Sequence, residues 1–393
     1  MNNRQLFQSY IAQTSPTPQD LEIVKSAGCY LFDINGKKYL DLISGIGVSI
    51  VGHRHPHVLQ ALSDQMDKYL HTMVWGEHIL SPQVKLASLI KSTLPESFDN
   101  FYFLNSGTEA VELALKLARR HTGRYRIISS THAYHGSSSG SAALMSPTFF
   151  TGRFRPLVPD VAHIRFNDLA MLDLIDERCA AVVIEVVQAE SGIFQVDKEY
   201  LQQLKYRCVE TGTLLIFDEI QSGLGRTGTW WAFERYGILP DILLSGKGLG
   251  GGLPLSMVAA NKSIMRDISN DPVLGHITTY GGNPLCCAAG IATIETIIEE
   301  KCIAEVIRKE KLIHSCLDSP RIVKVRTVGL WAAVELATVT EMHSVMKSLM
   351  SAGIITDWFL FNEHCLRIAP PLNIDDNLLS QALETINQVI NGI

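Results

Sequence analysis

The chain has 393 residues, of which 46% are hydrophobic and 19% are charged, as expected of a globular protein with a large buried core. Its net charge of −6 provides no basic surface for nucleic acid. The polar first 16 residues lack the apolar segment of a secretory signal, and no apolar run is long enough to span a membrane. The eight cysteines lack the spacing of disulfide frameworks or metal sites. We therefore expect a cytoplasmic protein with reduced thiols.

The N-terminal part predicts short elements, and an α/β pattern follows from about residue 82 to residue 295. Strands are predicted at 29–33 and 38–41, joined at Asn35 and Gly36, and a helix at 57–69. The α/β part predicts helices at 82–93, 108–121 and 198–210, and short apolar strands at 100–104, 126–130, 180–187, 214–218 and 242–245. Such strands are typical of a largely parallel sheet covered by helices on both faces.

The last part of the chain alternates long helices with strands. Helices are predicted at 289–311, 341–352 and 376–390, and strands at 324–328, 332–335 and 365–368. We therefore predict an α/β protein with two domains. The large domain, residues 58–295, carries a mainly parallel seven-stranded sheet flanked by helices. A smaller α+β domain is built from both chain ends, residues 1–57 and 296–393.

Two chemically active residues follow predicted strands. Lys247 lies among glycines, where its amine would lose hydration. The pKa of the amine would therefore fall, and the amine could act as a nucleophile toward a carbonyl. A solvated loop lysine is the alternative. Asp218 ends an apolar strand and needs a donor, for which a protonated pyridine nitrogen, a helix cap and a metal ion stay open. Asp218 and Lys247 lie 29 residues apart with a helix at 230–236 between them, about the length of one βαβ unit, so both should lie at the carboxyl edge of the sheet.

Two further segments favour a ring-and-phosphate ligand. Residues 105–109 lead from a strand into the strongest helix, where backbone N–H groups and the hydroxyls of Ser106 and Thr108 can bind an anion. The same residues are typical of a helix-capping box, and the two interpretations are compatible. Tyr134 follows another strand and can lie flat on a cofactor ring, with a packed core tyrosine as the alternative.

Two motifs suggest other ligands. Residues Gly223–Gly228 match the glycine pattern of dinucleotide sites, but they do not follow their strand directly, because Asp218–Ser222 intervene, and no acidic strand end follows at the required spacing. His53, His55 and His57 resemble metal ligands, but Pro56 interrupts their spacing and no cysteine or carboxylate set accompanies them, so a turn is expected.

Taken together, the motifs resemble those of the class III aminotransferases of fold type I, the family of ornithine, acetylornithine and 4-aminobutyrate aminotransferases. The resemblance covers nearly the whole chain and rests on Gly45–Val48, Gly52–Pro56, Ser106–Ala110, Tyr134–Gly136, Glu185–Glu190, Phe217–Gln221, Gly223–Gly228, Ser245–Lys247, Thr279–Pro284 and Arg367–Pro371. It implies pyridoxal 5′-phosphate as cofactor, ping-pong transfer of an amino group between an amino donor and an oxo acid, and a homodimer with shared active sites. It also makes Gly223–Gly228 a structural loop.

The resemblance implies a role for each residue of the site. Lys247 would form the Schiff base with the cofactor and move the substrate proton, and Asp218 would hold the pyridine nitrogen. Other cofactor contacts would come from Ser106, Gly107, Thr108, Tyr134, His135, Glu185, Gln221 and Thr279, the last reaching the phosphate of the neighbouring subunit. Arg367 would bind the substrate carboxylate, and Glu190 would pair with it when a distal amine reacts.

The sequence departs from the family at Ser137. Ornithine- and acetylornithine-type members carry an arginine here, and losing a desolvated guanidinium–carboxylate contact costs about 2–5 kcal/mol. Either Arg153 or Arg155 could replace it, so the substrate stays open among ornithine-like, 4-aminobutyrate-like and glutamate-like amino acids.

Two other functions use the same residues. A lyase acting on an amino-alcohol phosphate, or an aminomutase, would keep Lys247 and Asp218 but release no free oxo product. A cofactor-binding homologue without turnover is disfavoured, because Gln221 and Arg367 are present as well.

Overall fold

The computed structural model describes residues 1–146 and 148–393. Its N-terminal part contains α1 (Asn3–Tyr10), β1 (Ile23–Ala27), β2 (Tyr30–Asp33), β3 (Lys38–Asp41), the single turn α2 (Ser44–Gly47) and α3 (Pro56–Met66). The three strands pair antiparallel, and Gly36 makes the turn between β2 and β3 at a φ of 78°. In α2, Gly45 and Ile46 take left-handed backbone angles, so this turn is not an ordinary helix.

The largest sheet occupies the middle of the chain. The strands here are β4 (Asn100–Leu104), β5 (Arg126–Ser130), β6 (Val161–Ile164), β7 (Cys179–Ile184), β8 (Val187–Gln188), β9 (Phe194–Gln195), β10 (Leu214–Asp218), β11 (Ile242–Ser245) and β12 (Ser256–Ala260). Seven of them form one sheet in the order β4-β12-β11-β10-β7-β5-β6. Only β12 in this sheet runs antiparallel to its neighbours, whereas β8 and β9 form a separate ribbon.

Helices cover both faces of this sheet. They are α4 (Ser81–Lys91), α5 (Gly107–Thr122), α6 (Ser139–Ala143), α7 (Lys198–Thr211), α8 (Lys262–Met265) and α9 (Pro284–Glu299). Alternate strand residues point to opposite faces, so Leu215 packs in one buried cluster with Leu204 of α7, and Ile216 packs in the other with Val111 of α5. The predicted α/β fold with a mainly parallel seven-stranded sheet is confirmed.

The remaining elements form a second group of strands and helices. They are α10 (Cys302–Cys316), β13 (Lys324–Thr327), β14 (Ala332–Glu335), α11 (Val339–Ser351), β15 (Ile354–Ile355), β16 (Asp357–Phe359), β17 (Asn362–Ile368) and α12 (Asp376–Asn391). An antiparallel sheet has the order β13-β14-β17-β16. Strand β15 instead pairs in parallel with β3, so both ends of the chain contribute to one sheet. The domain boundaries at residues 57 and 295 stay predictions.

Several predicted elements were wrong in type or extent. The helix predicted at 230–236 is a short 3₁₀ turn, Ala232–Arg235, and the helix predicted at 289–311 is two helices. Lys301 separates α9 from α10 because its left-handed φ of 52° breaks the helical path. Strands β6 and β12 had not been predicted. In the part of the chain that the structure describes, no helix is both long enough and apolar enough to cross a bilayer.

Candidate active site

The carboxyl edge of the parallel strands carries a group of polar residues. Strands β10 and β11 are neighbours and pair Asp218 with Leu244, three residues before Lys247. Glu185 directly follows β7, which pairs with β10 on its other side. These residues share a cavity of about 300 Å³, which is lined by Gly107, Thr108, Tyr134, His135, Gly136, Ser137, Glu185, Val187, Ala189, Asp218, Ile220, Gln221, Ser222 and Lys247. A pocket at this edge is the usual ligand site of open α/β sheets.

Lys247 begins a glycine-rich 3₁₀ turn, Lys247–Gly250, immediately after β11. Its backbone is left-handed, at a φ of 45°, which directs the chain sharply away from the strand. Its Nζ donates to Oε1 of Gln221. Burial lowers the pKa of the Lys247 amine, because the charged form loses hydration. A larger fraction of the amine is therefore neutral and nucleophilic than in a solvated lysine.

Both carboxylate oxygens of Asp218 have hydrogen-bond partners at the cavity. Oδ2 of Asp218 lies 2.7 Å from Nδ1 of the buried His135, and Oδ1 accepts from the backbone N–H of Ile220 at 3.0 Å. Burial acts to lower the pKa of His135, but the hydrogen bond and charge of Asp218 outweigh it and raise that pKa above its usual value. A protonated His135 in turn stabilises the Asp218 carboxylate.

Glu185 ties together the two loops at the rim of the cavity. Its Oε1 accepts from the backbone N–H of Tyr134 and its Oε2 from that of Ala189, each at 3.0 Å. Burial raises the pKa of this carboxyl to about 7. The backbone of Tyr134 is therefore anchored at the cavity that its side chain lines.

The start of α5 faces the cavity with Gly107 and Thr108. Ser106 is the N-cap residue, and its Oγ accepts from the backbone N–H of Glu109 at 3.4 Å. The hydroxyl of Thr108 lies 2.5 Å from Oγ of Ser138 and 2.6 Å from Oγ of Ser141. Backbone N–H groups at a helix start, beside clustered hydroxyls, suit an anion.

Gly136 allows its loop to approach the start of α5 this closely. Its φ is 123°, and a Cβ placed on it would lie 2.6 Å from Cβ of Thr108. No side chain fits at that distance, so glycine is required for the hydroxyl cluster to face α5.

A second polar group lies deeper, where Arg367 of β17 meets Glu190. Nη1 and Nη2 of Arg367 donate to the two carboxylate oxygens of Glu190 at 2.9 and 2.8 Å, and both residues are buried. Burial acts to raise the pKa of Glu190, but Arg367 outweighs it and lowers that pKa. Both residues also affect the pKa of Lys247, so the pair lies near the reactive amine. A bidentate pair of this kind is strong and fixed in geometry.

The other predicted residues lie at the rim or outside it. Ser137 is exposed and lines the cavity, with its Oγ 3.3 Å from the hydroxyl of Tyr134. Thr279 is exposed on the loop before α9 and does not line this cavity as the described residues form it. Arg153 and Arg155 are both exposed, and neither is among the described residues that line it.

Sequence reasoning missed Asp357, whose Oδ1 lies 3.0 Å from Nε of Arg367. The two residues are directly opposite in β16 and β17. An aspartate in the apolar run Ile354–Phe361 was an available signal, because a half-buried carboxylate needs a partner.

The two motifs that suggested other ligands make internal contacts. Nε2 of His53 lies 2.7 Å from Oδ2 of Asp41, which stabilises the turn that follows β3. Within Gly223–Gly228, the buried Arg226 donates to the backbone carbonyls of Leu330 and Pro370. The glycine loop is therefore bound to the C-terminal part of the chain.

The fold and the cavity together define an enzyme site suited to chemistry between an amine and a carbonyl. Comparisons with known proteins identify the class of this enzyme. The sequence profile of the class-III aminotransferases matches residues 10–390. The chain is 36% identical over 377 residues to an acetylornithine aminotransferase of Archaeoglobus fulgidus, covering 95% of this chain and 96% of that protein. It is 37% identical over 341 residues to a LysW-aminoadipate semialdehyde/glutamate semialdehyde transaminase of Sulfolobus acidocaldarius, covering 85% and 86%.

A solved structure has the same fold. The ornithine aminotransferase of Toxoplasma gondii, whose structure shows partial occupancy of PLP at its active site, superposes with a TM-score of 0.91 at 27% identity, covering 99% of this chain and 94% of that one. The chain therefore belongs to the class III aminotransferase family. It is a transaminase, and the family implies pyridoxal phosphate as its cofactor.

Proposed function

We propose that this transaminase binds pyridoxal 5′-phosphate at Lys247 and moves an amino group between an ornithine-like amino donor and an oxo acid by a ping-pong mechanism. One observation carries the proposal: the buried amine of Lys247 lines one cavity with Asp218, and the charges of Asp218, Glu190 and Arg367 all act on it. The names of the archaeal relatives support an amino acid whose distal amine reacts.

The residues present fit this cofactor. It carries an aldehyde, a pyridine nitrogen, a phenolic oxygen and a phosphate, for which Lys247, Asp218, Gln221 and the start of α5 offer an amine, a carboxylate, an amide and backbone N–H groups. Nε2 of Gln221 is buried and has no hydrogen-bond partner among residues 1–146 and 148–393, so a donor stands ready at the cavity. When bound, the cofactor supplies an electron sink for negative charge on the substrate carbon.

Three residues of the chain would have separate roles in the reaction. Lys247, with its lowered pKa, would accept the proton from the substrate carbon on Nζ and deliver it to the cofactor carbon that carried the aldehyde. The Asp218 carboxylate, positioned by His135, would hold the protonated pyridine nitrogen of the cofactor. Tyr134, whose backbone is anchored by Glu185, lines the cavity and would exclude water from the bound cofactor.

Glu190 and Arg367 govern which end of a substrate can enter. While Glu190 occupies both Nη atoms of the guanidinium, no substrate carboxylate can bind there, and a distal amine is favoured. When Glu190 moves away, Arg367 offers a planar bidentate site for the carboxylate of the oxo acid. Ser137 adds no second cation at the rim of the cavity. We therefore expect a smaller preference for substrates with two carboxylates than in family members that carry an arginine at this position.

We also propose a homodimer in which Thr279 reaches the phosphate of the neighbouring subunit. The loop that carries Thr279 exposes the apolar side chains of Val273, Leu274, Ile277 and Tyr280. Mixing Lys247→Ala with Thr279→Ala subunits should restore about one quarter of the wild-type activity, because half of the dimers are mixed and each mixed dimer has one complete site. Mixed subunits that stay inactive would contradict shared sites. The cytoplasmic location stays a prediction.

The function is tested by the colour of the cofactor. Purified protein should be yellow, an amino donor without acceptor should bleach it, and an oxo acid should restore the colour. A panel of glutamate, alanine, ornithine, acetylornithine and 4-aminobutyrate would identify the donor. Lys247→Ala should neither bleach nor recover. If no amine bleaches the wild-type protein, or if bleaching yields no free oxo product, a lyase or aminomutase is the better description.

A further inference from the structure

The guanidinium of Arg367 has two carboxylate neighbours, not one. Glu190 occupies Nη1 and Nη2, and Oδ1 of Asp357 lies 3.0 Å from Nε on the remaining edge. The side chains of Arg367 and Asp357 are 2% and 15% exposed, so water screens this contact only in part. The cluster of two carboxylates and one guanidinium carries a net charge of about −1 at neutral pH when both acids are ionised.

Asp357 is not needed to hold the guanidinium in place. Arg367 also donates from Nη2 to the backbone carbonyl of Trp358 at 3.0 Å, and its guanidinium lies over the ring of Phe359 at 4.4 Å. In contrast, Nε of Arg367 and Oδ1 of Asp357 are close but not aligned as a hydrogen bond, and neither atom has another partner in the described chain. Asp357 therefore acts on Arg367 through its charge.

We propose that Asp357 is a specificity-determining residue, whose negative charge opposes the binding of a substrate carboxylate at Arg367 and thereby favours donors whose non-reacting end lacks a carboxylate there. The inference rests on the proposed role of Arg367 as the carboxylate site. A substrate carboxylate on the guanidinium adds one negative charge to a site that already contains the carboxylates of Glu190 and Asp357, because both are fixed parts of the chain. Repulsion between like charges at this distance in a partly buried site is substantial.

Protonation of Asp357 relieves that repulsion. Burial raises the pKa of Asp357 to about 6; among its charged neighbours, Arg367 and Lys247 act to lower it, and Glu190 and Asp41 act to raise it. An incoming carboxylate raises it further, so near neutral pH its binding should be accompanied by uptake of a proton. Carboxylate affinity should accordingly increase as the pH falls toward 6.

Calorimetric titration with glutarate, an unreactive dicarboxylate, tests this in the cofactor-loaded protein. Titration at pH 7 in two buffers of different ionisation enthalpy measures proton uptake, which should be a substantial fraction of one proton in the wild type. Asp357→Asn should bind glutarate about tenfold more tightly at pH 7.5 and take up no such proton. Asp176→Asn is the matched control, because it removes a carboxylate beside Arg178 at the opposite edge of the sheet and should change neither quantity.

The outcomes separate this inference from the proposed function. Arg367→Lys keeps the charge beside both acids but loses the bidentate fork, so it should weaken glutarate binding. If glutarate binding is indifferent to Arg367→Lys, the proposed carboxylate role of Arg367 fails. If binding depends on Arg367 while Asp357→Asn matches the wild type in affinity and proton uptake, the role of Asp357 is overturned. The two-buffer experiment needs no variant, and thermal unfolding checks that each variant is folded.

Discussion

The substitution Ser137→Arg would supply the guanidinium that ornithine-type relatives place after the histidine–glycine pair. Ser137 lines the cavity that contains Lys247, and its hydroxyl lies 3.3 Å from that of Tyr134, so an arginine here would extend over the same opening. Because position 137 is exposed, the new ion pair would be screened by water. We therefore expect it to contribute about 1 kcal/mol rather than the value of a desolvated pair, which is about fivefold in kcat/KM.

Ornithine and putrescine provide the assay, because they differ by a single carboxylate. The ratio of kcat/KM for ornithine to that for putrescine should rise about fivefold in Ser137→Arg, while the value for putrescine should change little. Ser137→Gln is the control, since it adds similar bulk without charge and should leave the ratio unchanged. An unaltered ratio in Ser137→Arg, or an equal gain in Ser137→Gln, would refute the electrostatic reasoning.

Two further predictions concern the cavity wall. Gly136→Ala would place a Cβ 2.6 Å from Thr108. The dissociation constant for pyridoxal phosphate, measured by fluorescence, should therefore rise at least about tenfold. Gly152→Ala is the control, because its Cβ would meet open space and should leave the constant unchanged. Burial raises the pKa of Glu185 to about 7, so its contribution to stability is complete below its unfolded pKa and is lost as the pH rises through 7. Between pH 5 and pH 8, the free energy of unfolding of the cofactor-free protein in urea should therefore fall by up to about 3 kcal/mol less in Glu185→Gln than in the wild type. An equal fall in both proteins would contradict this assignment.

The sequence was most informative where local pattern and burial coincide. Strands β7, β10 and β11 were predicted because each is a short apolar run, and a strand buried on both faces has that composition. Strand β12, Ser256–Ala260, was missed because its small residues resemble those of the preceding glycine-rich loop. The boundary at Lys301 was missed because a single left-handed residue leaves no mark on hydrophobic periodicity.

For the site, position along a strand was predictable and pairing across strands was not. The placement of Asp218 and Lys247 follows from the length of one crossover between adjacent parallel strands. The contact of Asp357 with Arg367 depends instead on the register of β16 against β17, which no short motif specifies. The hydroxyls of Ser138 and Ser141 reach Thr108 through a loop whose path depends on tertiary packing.

The pairing of β3 with β15 has a consequence for synthesis of the chain. Next to this pair, Nζ of Lys37 donates to the backbone carbonyl of Ser351, 314 positions later in the sequence. At about 5–20 residues per second, a ribosome needs about 15–60 s to bridge that interval. During this time β1–β3 lack their fourth strand while the central sheet, whose connections are shorter, can already assemble. The first strands to be made are thus among the last to be completed, and their open edge is what a chaperone would meet on the nascent protein.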